Sequence, residues 1–464
     1  MGSRFSVAWG DKRVAWLLLF MSVFLSPSAL SEFDRLSQHL LLQHLAEPTL
    51  EREQYLTMLQ AGTTYIPLES IDVIQLSVAD FWHQKSVPLP FDQLSSGVSI
   101  VEKNISLEPK VDDYLWVVNY LRKLILLSQT QAWPAIEPGG LLRLGDDHQS
   151  IKQIRQRLYL LGDAVEPAAD EVVYKEALAQ SVKGFQVRHG LTPDAVIGPK
   201  TLFWLNITPL QRARLLAKSF VAKTAYLSQL SQPYLLINIP SFNMVLVENN
   251  QVVLQSKVIV GKSYRQTPVM QSNISNVVLN PTWTVPRRLL RQDVLPKIHK
   301  DGHYLADKQF DVFDYEGHRV IKSVQQWQDS AVGRFPYRVI QRPGALNSLG
   351  RYKFHFKNDL DVYLHDTPNP ELYRQSQRAL SSGCVRIEKA QQLADWFAQH
   401  LIIDKHTWNR MQLNYHKTQW FALSTSLPVH LVYWRAWIDN DRVAQYRDDI
   451  YHIDSVDAAS LPGQ

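Results

Sequence analysis

The sequence is almost without cysteine, because Cys384 is the only one in 464 residues. A disulfide within the chain is therefore excluded, and so is a zinc site built from paired cysteines. A Walker loop and a His-Glu-x-x-His pair are also missing, and the sequence implies no metal ion and no organic cofactor. The formal net charge is only +5, without a basic stripe interleaved with aromatic residues, which argues against nucleic acid as a partner.

Long hydrophobic runs are missing as well, since no apolar stretch reaches the ~20 residues that a membrane-spanning helix needs. The run from Val14 to Leu25 follows basic residues and precedes small ones, an order typical of a secretory signal. We therefore predict a signal peptide over residues 1–31 and a periplasmic protein. An uncleaved N-terminal anchor, which would associate the protein with the inner membrane, is the alternative. In an oxidising compartment an exposed thiol is a liability, so export suggests that the single cysteine is buried or used.

The length allows about three domains at ~150 residues each, and an apolar share of 45% indicates a globular chain. The predicted fold class is multidomain α+β. The predicted parts are residues 1–31 as signal or anchor, 32–138 as helical scaffold, 139–206 as a compact three-helix module, 207–230 as a connecting helix, 231–425 as a β-rich domain with an insertion at 286–336, and 426–464 as a C-terminal strand and tail.

The module at 139–206 begins with the pattern Ser150-Ile151-Lys152-Gln153, which predicts a capping box at a helix start. Gly162 is expected to end that helix. Three segments, "RQRLYLLGD", "VKGFQVRHGL" and "VIGPKTLFWLN", resemble peptidoglycan-binding modules of the three-helix type. The resemblance implies contact with the cell wall, whereas the plain alternative is a bundle that only packs. Thr208, with Gln211 three residues on, predicts a second capping box at the start of the connecting helix.

From Tyr234 onward the pattern changes to strands, which predicts a β-dominated domain. The segment 286–336 interrupts these strands and is rich in proline, charge and aromatic residues. Insertions of this kind near a catalytic sheet often act as lids. Residues 361–365 are predicted to form a strand, and 388–401 to form a helix with Leu393 and Phe397 on its buried face.

Cys384 lies in a loop between these last two elements, and His365 ends the strand before it. A thiol and an imidazole so placed are candidates for a nucleophile and its general base. His365 would need a second hydrogen-bond partner, expected to be a backbone carbonyl near Asp366. A neighbouring helix N-terminus and an imidazolium would each lower the pKa of the thiol. The structural alternatives are a small buried cysteine and a hydrogen-bonded histidine at a strand edge.

Residues beside this pair suggest how a substrate would be held. The N–H groups of Ser382, Gly383 and Cys384 are candidates for an oxyanion hole, since glycine lets the backbone approach a substrate oxygen. Tyr363 shares the strand face of His365, and it either orients substrate or belongs to the core. Arg386 is expected to bind a substrate carboxylate, with a salt bridge inside the protein as the alternative.

The sequence around these residues resembles the L,D-transpeptidase signature of YkuD-type catalytic domains. The resemblance is carried by "SGCVR" after His365 and by "GKSYRQTP", "NPTWTVP", "RPGALNSLGRYKFHF" and "VYLHDTP". With the module and the scaffold, the chain resembles the long Gram-negative L,D-transpeptidases. Trp283, within "NPTWTVP", is a further candidate for substrate binding. Ser382 departs from the general signature, in which many members have a second histidine.

The resemblance implies a cysteine-dependent acyltransferase acting on peptidoglycan stem peptides. Cys384 would attack the bond between diaminopimelate and the terminal D-alanine of a tetrapeptide stem, with His365 as base and then acid. Transfer of the thioester to the diaminopimelate amine of a neighbouring stem would give a 3→3 cross-link. The resemblance also implies that carbapenems acylate the same sulfur.

Three alternatives remain open from the sequence. The same site would serve an L,D-carboxypeptidase, whose acceptor is water, or an enzyme that attaches a lipoprotein lysine to the wall. The third is a non-catalytic wall-binding protein with an inactive domain.

Overall fold

The computed structural model describes residues 29–60, 66–164, 166 and 171–453. The chain divides into two compact units, which we call the helical unit (Met1–Leu230 with Trp434–Arg447) and the sheet unit (Ser231–Tyr433 with Asp448–Gln464). The predicted α+β class is confirmed. Residues 1–28 of the predicted signal or anchor lie outside the described residues. Where the chain is described, no helix is both long and apolar enough to cross a membrane.

The helical unit groups the predicted scaffold, module and connecting helix together. Its helices span Ala29–Ala46, Leu50–Gln60, Leu68–His83, Ile100–Ser106, Tyr114–Thr130, Ser150–Leu161, Glu176–Arg188, Pro199–Asn206 and Pro209–Leu227. A short hairpin, β13 (Ala436–Ile438) with β14 (Ala444–Tyr446), completes the unit.

Two helix boundaries in this unit agree with the sequence signals, and one does not. Gly162 ends its helix with a φ of +89°, and Thr208 Oγ1 accepts from the Gln211 N–H while the Gln211 side chain accepts from the Thr208 N–H. The capping box at Ser150 is wrong. Ser150 is already the first helical residue, Gln149 precedes it as the N-cap, and no side chain makes a capping hydrogen bond at this end of the helix.

The sheet unit is built on nine strands in the order β10-β3-β11-β9-β8-β4-β12-β1-β2. Their bounds are β1 Tyr234–Asn238, β2 Asn243–Glu248, β3 Gln251–Gly261, β4 Met270–Leu279, β8 Tyr352–Phe356, β9 Leu364–His365, β10 Ala379–Ser381, β11 Val385–Ile387 and β12 Gln419–Val432. Because the long β3 also pairs with β2, the sheet closes on itself. One face of the sheet packs on a core that includes Phe354, Leu364, Val385 and Phe397, all fully buried.

The predicted helix at 388–401 is observed as Ala390–His400, with Leu393 and Phe397 buried as expected. A second helix, Lys405–Met411, follows it. The predicted strand at 361–365 is shorter, because only Leu364 and His365 join the ladder. The boundary predicted at residue 425 falls inside β12, which runs between β4 and β1.

The insertion is a folded subdomain. It contains a three-stranded sheet whose strands lie in the order β5 (Trp283–Thr284), β7 (Arg338–Gln341) and β6 (Phe310–Phe313), together with several helical turns. These turns are Arg287–Leu289, a π-helical segment Leu290–Val294, Leu295–Lys300, Tyr304–Asp307 and Val324–Ser330. A separate apolar core, which includes Ile298, Trp327 and Val339, holds the subdomain together.

Candidate active site

The single thiol lies in the tight turn between β10 and β11. Gly383 has a φ of +121°, a backbone conformation that side-chain-bearing residues rarely adopt. The Ser381 hydroxyl closes the turn, because its Oγ donates to the Cys384 carbonyl at 2.6 Å and accepts from the Gly383 N–H at 3.2 Å. Cys384 itself is partly exposed. The sequence therefore folds here into a hydrogen-bonded turn that leaves the cysteine partly exposed.

Strand register brings the predicted residues onto one face of the sheet. Arg386 on β11 pairs with His365 on β9, and His365 pairs with Lys353 on β8. Since side chains alternate along a strand, Cys384 shares the face of Arg386, and Tyr363 shares the face of His365. The neighbouring residues Leu364, Val385 and Phe354 point to the buried core instead. Lys353 was not predicted, because its place depends on a register that only the folded sheet reveals.

His365 is buried and uncharged. Its Nδ1 hydrogen-bonds to the Asp366 carbonyl at 2.5 Å, the partner expected from the sequence. Burial and the nearby charge of Arg386 lower the pKa of His365 to about 3, although the carbonyls of Asp366 and Leu349 act in the opposite direction. Because a carbonyl can only accept a hydrogen bond, Nδ1 carries the single proton of the neutral ring, and Nε2 is the nitrogen that could accept a proton from a thiol.

The sulfur of Cys384 has different neighbours from those predicted. Sγ contacts the Asp361 carbonyl at 3.6 Å and also the Tyr363 hydroxyl. Within the described residues it makes no hydrogen bond to His365. Burial raises the pKa of Cys384, although Tyr363, Lys353 and Arg386 act against the rise. The expected lowering of the thiol pKa is wrong for this state, because the imidazole carries no charge and β11 separates Cys384 from the helix at Ala390.

Tyr363 joins the insertion to the thiol. Its side chain interacts with both Cys384 and the Trp283 side chain on β5, and burial is the largest cause that raises the pKa of Tyr363. Its ring lies 5.7 Å from the His365 ring, and Lys353 Nζ lies 4.0 Å from its centroid. The side chain of Tyr363 therefore belongs to the site rather than to the apolar core, and Trp283 lies beside it.

Arg386 is a half-buried cation without a carboxylate beside it. It forms no salt bridge within the described residues, and its Nε is buried with no hydrogen-bond partner. Burial lowers the pKa of Arg386, which is the expected effect of poor solvation on a charged group. An unpaired guanidinium of this kind is suited to an anionic ligand group.

Two of the three predicted oxyanion donors remain available. The Gly383 N–H is used by Ser381 Oγ, as described above. Within the described part of the chain, the N–H groups of Ser382 and Cys384 have no acceptor. The Ser382 hydroxyl accepts from Arg265 Nη1 at 2.9 Å. Ser382 therefore faces a cation at the position where many proteins of the resembled family have a second histidine.

Arg265 also holds the insertion, because its guanidinium binds the Asp293 carboxylate at 2.5 Å and Gln292 Oε1 at 2.7 Å. This role of Arg265 was not predicted, although the residue lies in the segment "GKSYRQTP". Its partners are 28 and 117 residues away along the chain, so no local pattern announces them.

One group of potential metal ligands exists among the described residues, at Asp314, Glu316 and His318 on a turn of the insertion. Glu316 and His318 are exposed, and such acidic groups are common without an ion. It is not part of the face that holds Cys384.

A thiol and a neutral imidazole on one sheet face, two unused N–H donors and an unpaired guanidinium are groups that acyl transfer through sulfur requires. Residues 232–410 match the family described as the L,D-transpeptidase catalytic domain, YkuD, and residues 147–205 match a "Putative peptidoglycan binding domain". The sheet unit therefore contains a segment that matches the YkuD L,D-transpeptidase catalytic domain, and the helical unit contains a segment that matches a peptidoglycan-binding domain.

Known proteins are similar to this chain to different degrees. A "Putative L,D-transpeptidase" of Haemophilus influenzae is 39% identical over 222 residues, which are 47% of this chain and 44% of that protein. The match thus spans less than half the length of that relative. A crystal structure of an L,D-transpeptidase from Xylanimonas cellulosilytica is 13% identical and has a TM-score of 0.20, over 64% of this chain and 98% of that chain. A crystal structure of a fused zinc-dependent amidase/peptidase from Clostridium acetobutylicum is 11% identical and has a TM-score of 0.18, over 63% of this chain and 98% of that chain. These two TM-scores are too low to establish a shared overall fold.

Proposed function

We propose that the protein is a peptidoglycan L,D-transpeptidase that forms 3→3 cross-links through a thioester on Cys384. The observation that carries the proposal is the position of Cys384: a partly exposed thiol in the turn of a YkuD domain, on the same sheet face as His365 and Arg386. The peptidoglycan-binding type of domain at 147–205 supports the same substrate class.

In the first half-reaction, Sγ of Cys384 attacks the carbonyl that joins diaminopimelate to the terminal D-alanine. The thiol proton passes to His365, which then gives it to the leaving amine, so that D-alanine departs and a thioester remains. The N–H groups of Cys384 and Ser382 would stabilise the negative oxygen of the tetrahedral intermediate. In the second half-reaction the side-chain amine of a neighbouring stem attacks the thioester, and its released proton restores the thiol.

The protonation states of the resting site fit a first step in which proton transfer from the thiol accompanies attack by the sulfur. Because the pKa of Cys384 is raised and that of His365 is about 3, the pair rests as thiol and neutral imidazole. Proton transfer would accompany attack, once a bound substrate has brought sulfur and imidazole within reach. A resting thiol is also less open to oxidation than a thiolate, which suits a protein acting outside the cytoplasm.

Substrate contacts would come from three side chains. Arg386 would bind a carboxylate of the donor stem, and Tyr363 with Trp283 would line the other side of the sulfur. The insertion would act as a lid that keeps water from the thioester, which favours transfer to an amine over hydrolysis. A periplasmic location after cleavage of the predicted signal belongs to the same proposal.

The test is to incubate the full chain with purified disaccharide-tetrapeptide and to follow products by mass spectrometry. We expect free D-alanine together with 3→3 dimers, and neither product with the Cys384→Ala variant. D-alanine with tripeptides but without dimers would contradict the transpeptidase proposal in favour of a carboxypeptidase. In a second incubation that also contains a lipoprotein with an acceptor lysine, a lipoprotein-peptide adduct without 3→3 dimers would favour attachment. No release of D-alanine in either incubation would favour a non-catalytic wall-binding protein.

A further inference from the structure

The hydroxyl of Thr267 contacts the turn Ser381–Cys384, which carries the proposed nucleophile and which we call the nucleophile turn. Thr267 Oγ1 donates to the Gly383 carbonyl at 2.8 Å and accepts from the Gly261 N–H at 2.9 Å. Its side chain is almost fully buried, at 1% exposure. Both hydrogen-bonding directions of this hydroxyl are therefore used, and it has no freedom to rotate away.

The Gly383 carbonyl belongs to the same peptide unit as the Cys384 N–H. In a trans peptide these two groups point in opposite directions, and the unit is planar. A bond that fixes the carbonyl toward Thr267 therefore aims the Cys384 N–H to the opposite side. That N–H is one of the two donors left unused in the described structure. Gly383, at a φ of +121°, has the conformational freedom that would let the plane rotate if the bond were lost.

Thr267 is in turn held by Tyr451, which lies 184 residues later in the chain. Tyr451 Oη accepts from the Thr267 N–H at 3.1 Å and donates to the Gly261 carbonyl at 2.7 Å. The Tyr451 N–H donates to the Tyr433 hydroxyl, so the tyrosine is itself fixed. A continuous chain of hydrogen bonds thus runs from Tyr451 through Thr267 to the peptide unit of the nucleophile.

We propose that Thr267, supported by Tyr451, is a positioning residue that aims the Cys384 N–H at the oxyanion of the tetrahedral intermediate. The inference rests on the proposed acyl transfer at Cys384. It gives Tyr451, which lies outside the segment matched to the catalytic family, a supporting part in the chemistry. Thr267 touches neither substrate nor sulfur; it acts through one peptide plane.

Two reactions of the Cys384 sulfur distinguish a positioning role of Thr267 from a purely structural one. Acylation by a carbapenem passes through a tetrahedral oxyanion, whereas alkylation by iodoacetamide displaces iodide and forms no such oxyanion. We expect Thr267→Val to slow carbapenem acylation of the full chain by about 10- to 100-fold, somewhat less than the loss of a whole donor. Alkylation should stay within about threefold of the wild type, since the variant leaves the thiol and its neighbours in place.

The conservative variant and the supporting tyrosine complete the experiment. Thr267→Ser keeps the hydroxyl and should restore acylation, and Tyr451→Phe should slow acylation less than Thr267→Val while leaving alkylation unchanged. Equal losses in both reactions for Thr267→Val and Tyr451→Phe, or no loss of acylation in either, would overturn the positioning role. If Thr267→Val fails to fold, the test is made on Tyr451→Phe, provided that its melting temperature is normal. A lower ratio of acylation rate to alkylation rate than in the wild type would support the positioning role, and an unchanged ratio would overturn it. A wild type that is alkylated but never acylated would overturn the proposed function, which is a different result.

Discussion

Arg386 and His365 lie opposite each other on two neighbouring parallel strands, and the guanidinium disfavours a second positive charge on the imidazole. The same guanidinium lies near the sulfur and opposes the rise in the pKa of Cys384. One unpaired cation therefore acts on both partners of the proposed proton transfer, because it favours a neutral base and an ionised nucleophile. Its own lack of a carboxylate leaves it available for substrate.

The buried His365 should make the sheet unit less stable in acid. The unfolded chain binds a proton at this histidine near pH 6.5, and the folded chain only near pH 3. Between these values the unfolded state holds more protons, so the free energy of unfolding falls as the pH drops, by up to ~1.4 kcal/mol per pH unit from this group. Urea unfolding of His365→Gln should show a shallower loss between pH 6.5 and pH 4. The exposed His416→Gln is the matched control, and parallel curves for the two variants would contradict the prediction.

Lys353 should lower the pKa of the thiol. It lies on the same sheet face as Cys384, and its charge opposes the effect of burial on the pKa of Cys384. Lys353→Met should shift the midpoint of iodoacetamide alkylation against pH to a higher value than in the wild type. Lys357→Met, at an exposed position four residues later, should leave the midpoint unchanged. An unshifted midpoint in Lys353→Met would mean that the charge does not reach the sulfur.

Arg386→Met should weaken donor binding, because a charge-assisted contact with a carboxylate is worth about 1.5–3 kcal/mol. We expect kcat/KM for the tetrapeptide donor to fall by roughly 10- to 100-fold, mainly through KM. A donor amidated at its terminal carboxylate provides the decisive comparison. The wild type should lose activity on it, whereas Arg386→Met should treat both donors alike. A variant that still discriminates between the two donors would place the carboxylate elsewhere.

Arg265 joins the insertion to the nucleophile turn through Asp293 and Ser382. If the insertion keeps water from the thioester, Asp293→Asn should raise the ratio of hydrolysed tripeptide to cross-linked dimer by about two- to tenfold, since a partly exposed ion pair of this kind is worth ~1 kcal/mol. Glu316→Gln, on an exposed turn of the same insertion, is the control that should keep the wild-type ratio. A constant ratio in Asp293→Asn would show that this contact does not control water access.

Local patterns were sufficient where a residue is specified by its own neighbours along the chain. The helix at Ala390–His400, the stop at Gly162 and the box at Thr208 all depend on residues within one or two turns. The family of the sheet unit was likewise recognised from short segments around Cys384 and His365. The box predicted at Ser150 failed because the helix starts one residue earlier than the pattern requires, so the hydroxyl is already inside it.

Local sequence patterns could not predict the register of the strands or the contacts between residues that are distant along the chain. Thr267 and Tyr451 are 184 residues apart, and nothing near either residue announces their hydrogen bond. The charge state of Cys384 also depends on burial, which the sequence cannot quantify. The loss of the Gly383 N–H as a donor depends on the rotamer of Ser381, a choice made only in the folded turn.

The path of the chain after β12 has a consequence for the integrity of the site. The chain leaves the sheet unit at Tyr433, forms the hairpin of the helical unit and returns at Asp448, so Tyr451 follows every strand of the sheet. Its side chain also packs in the apolar core of the sheet unit. A chain shortened after β12 would therefore keep every strand and lose both a part of that core and the hydrogen-bonded support of the turn that presents the only thiol.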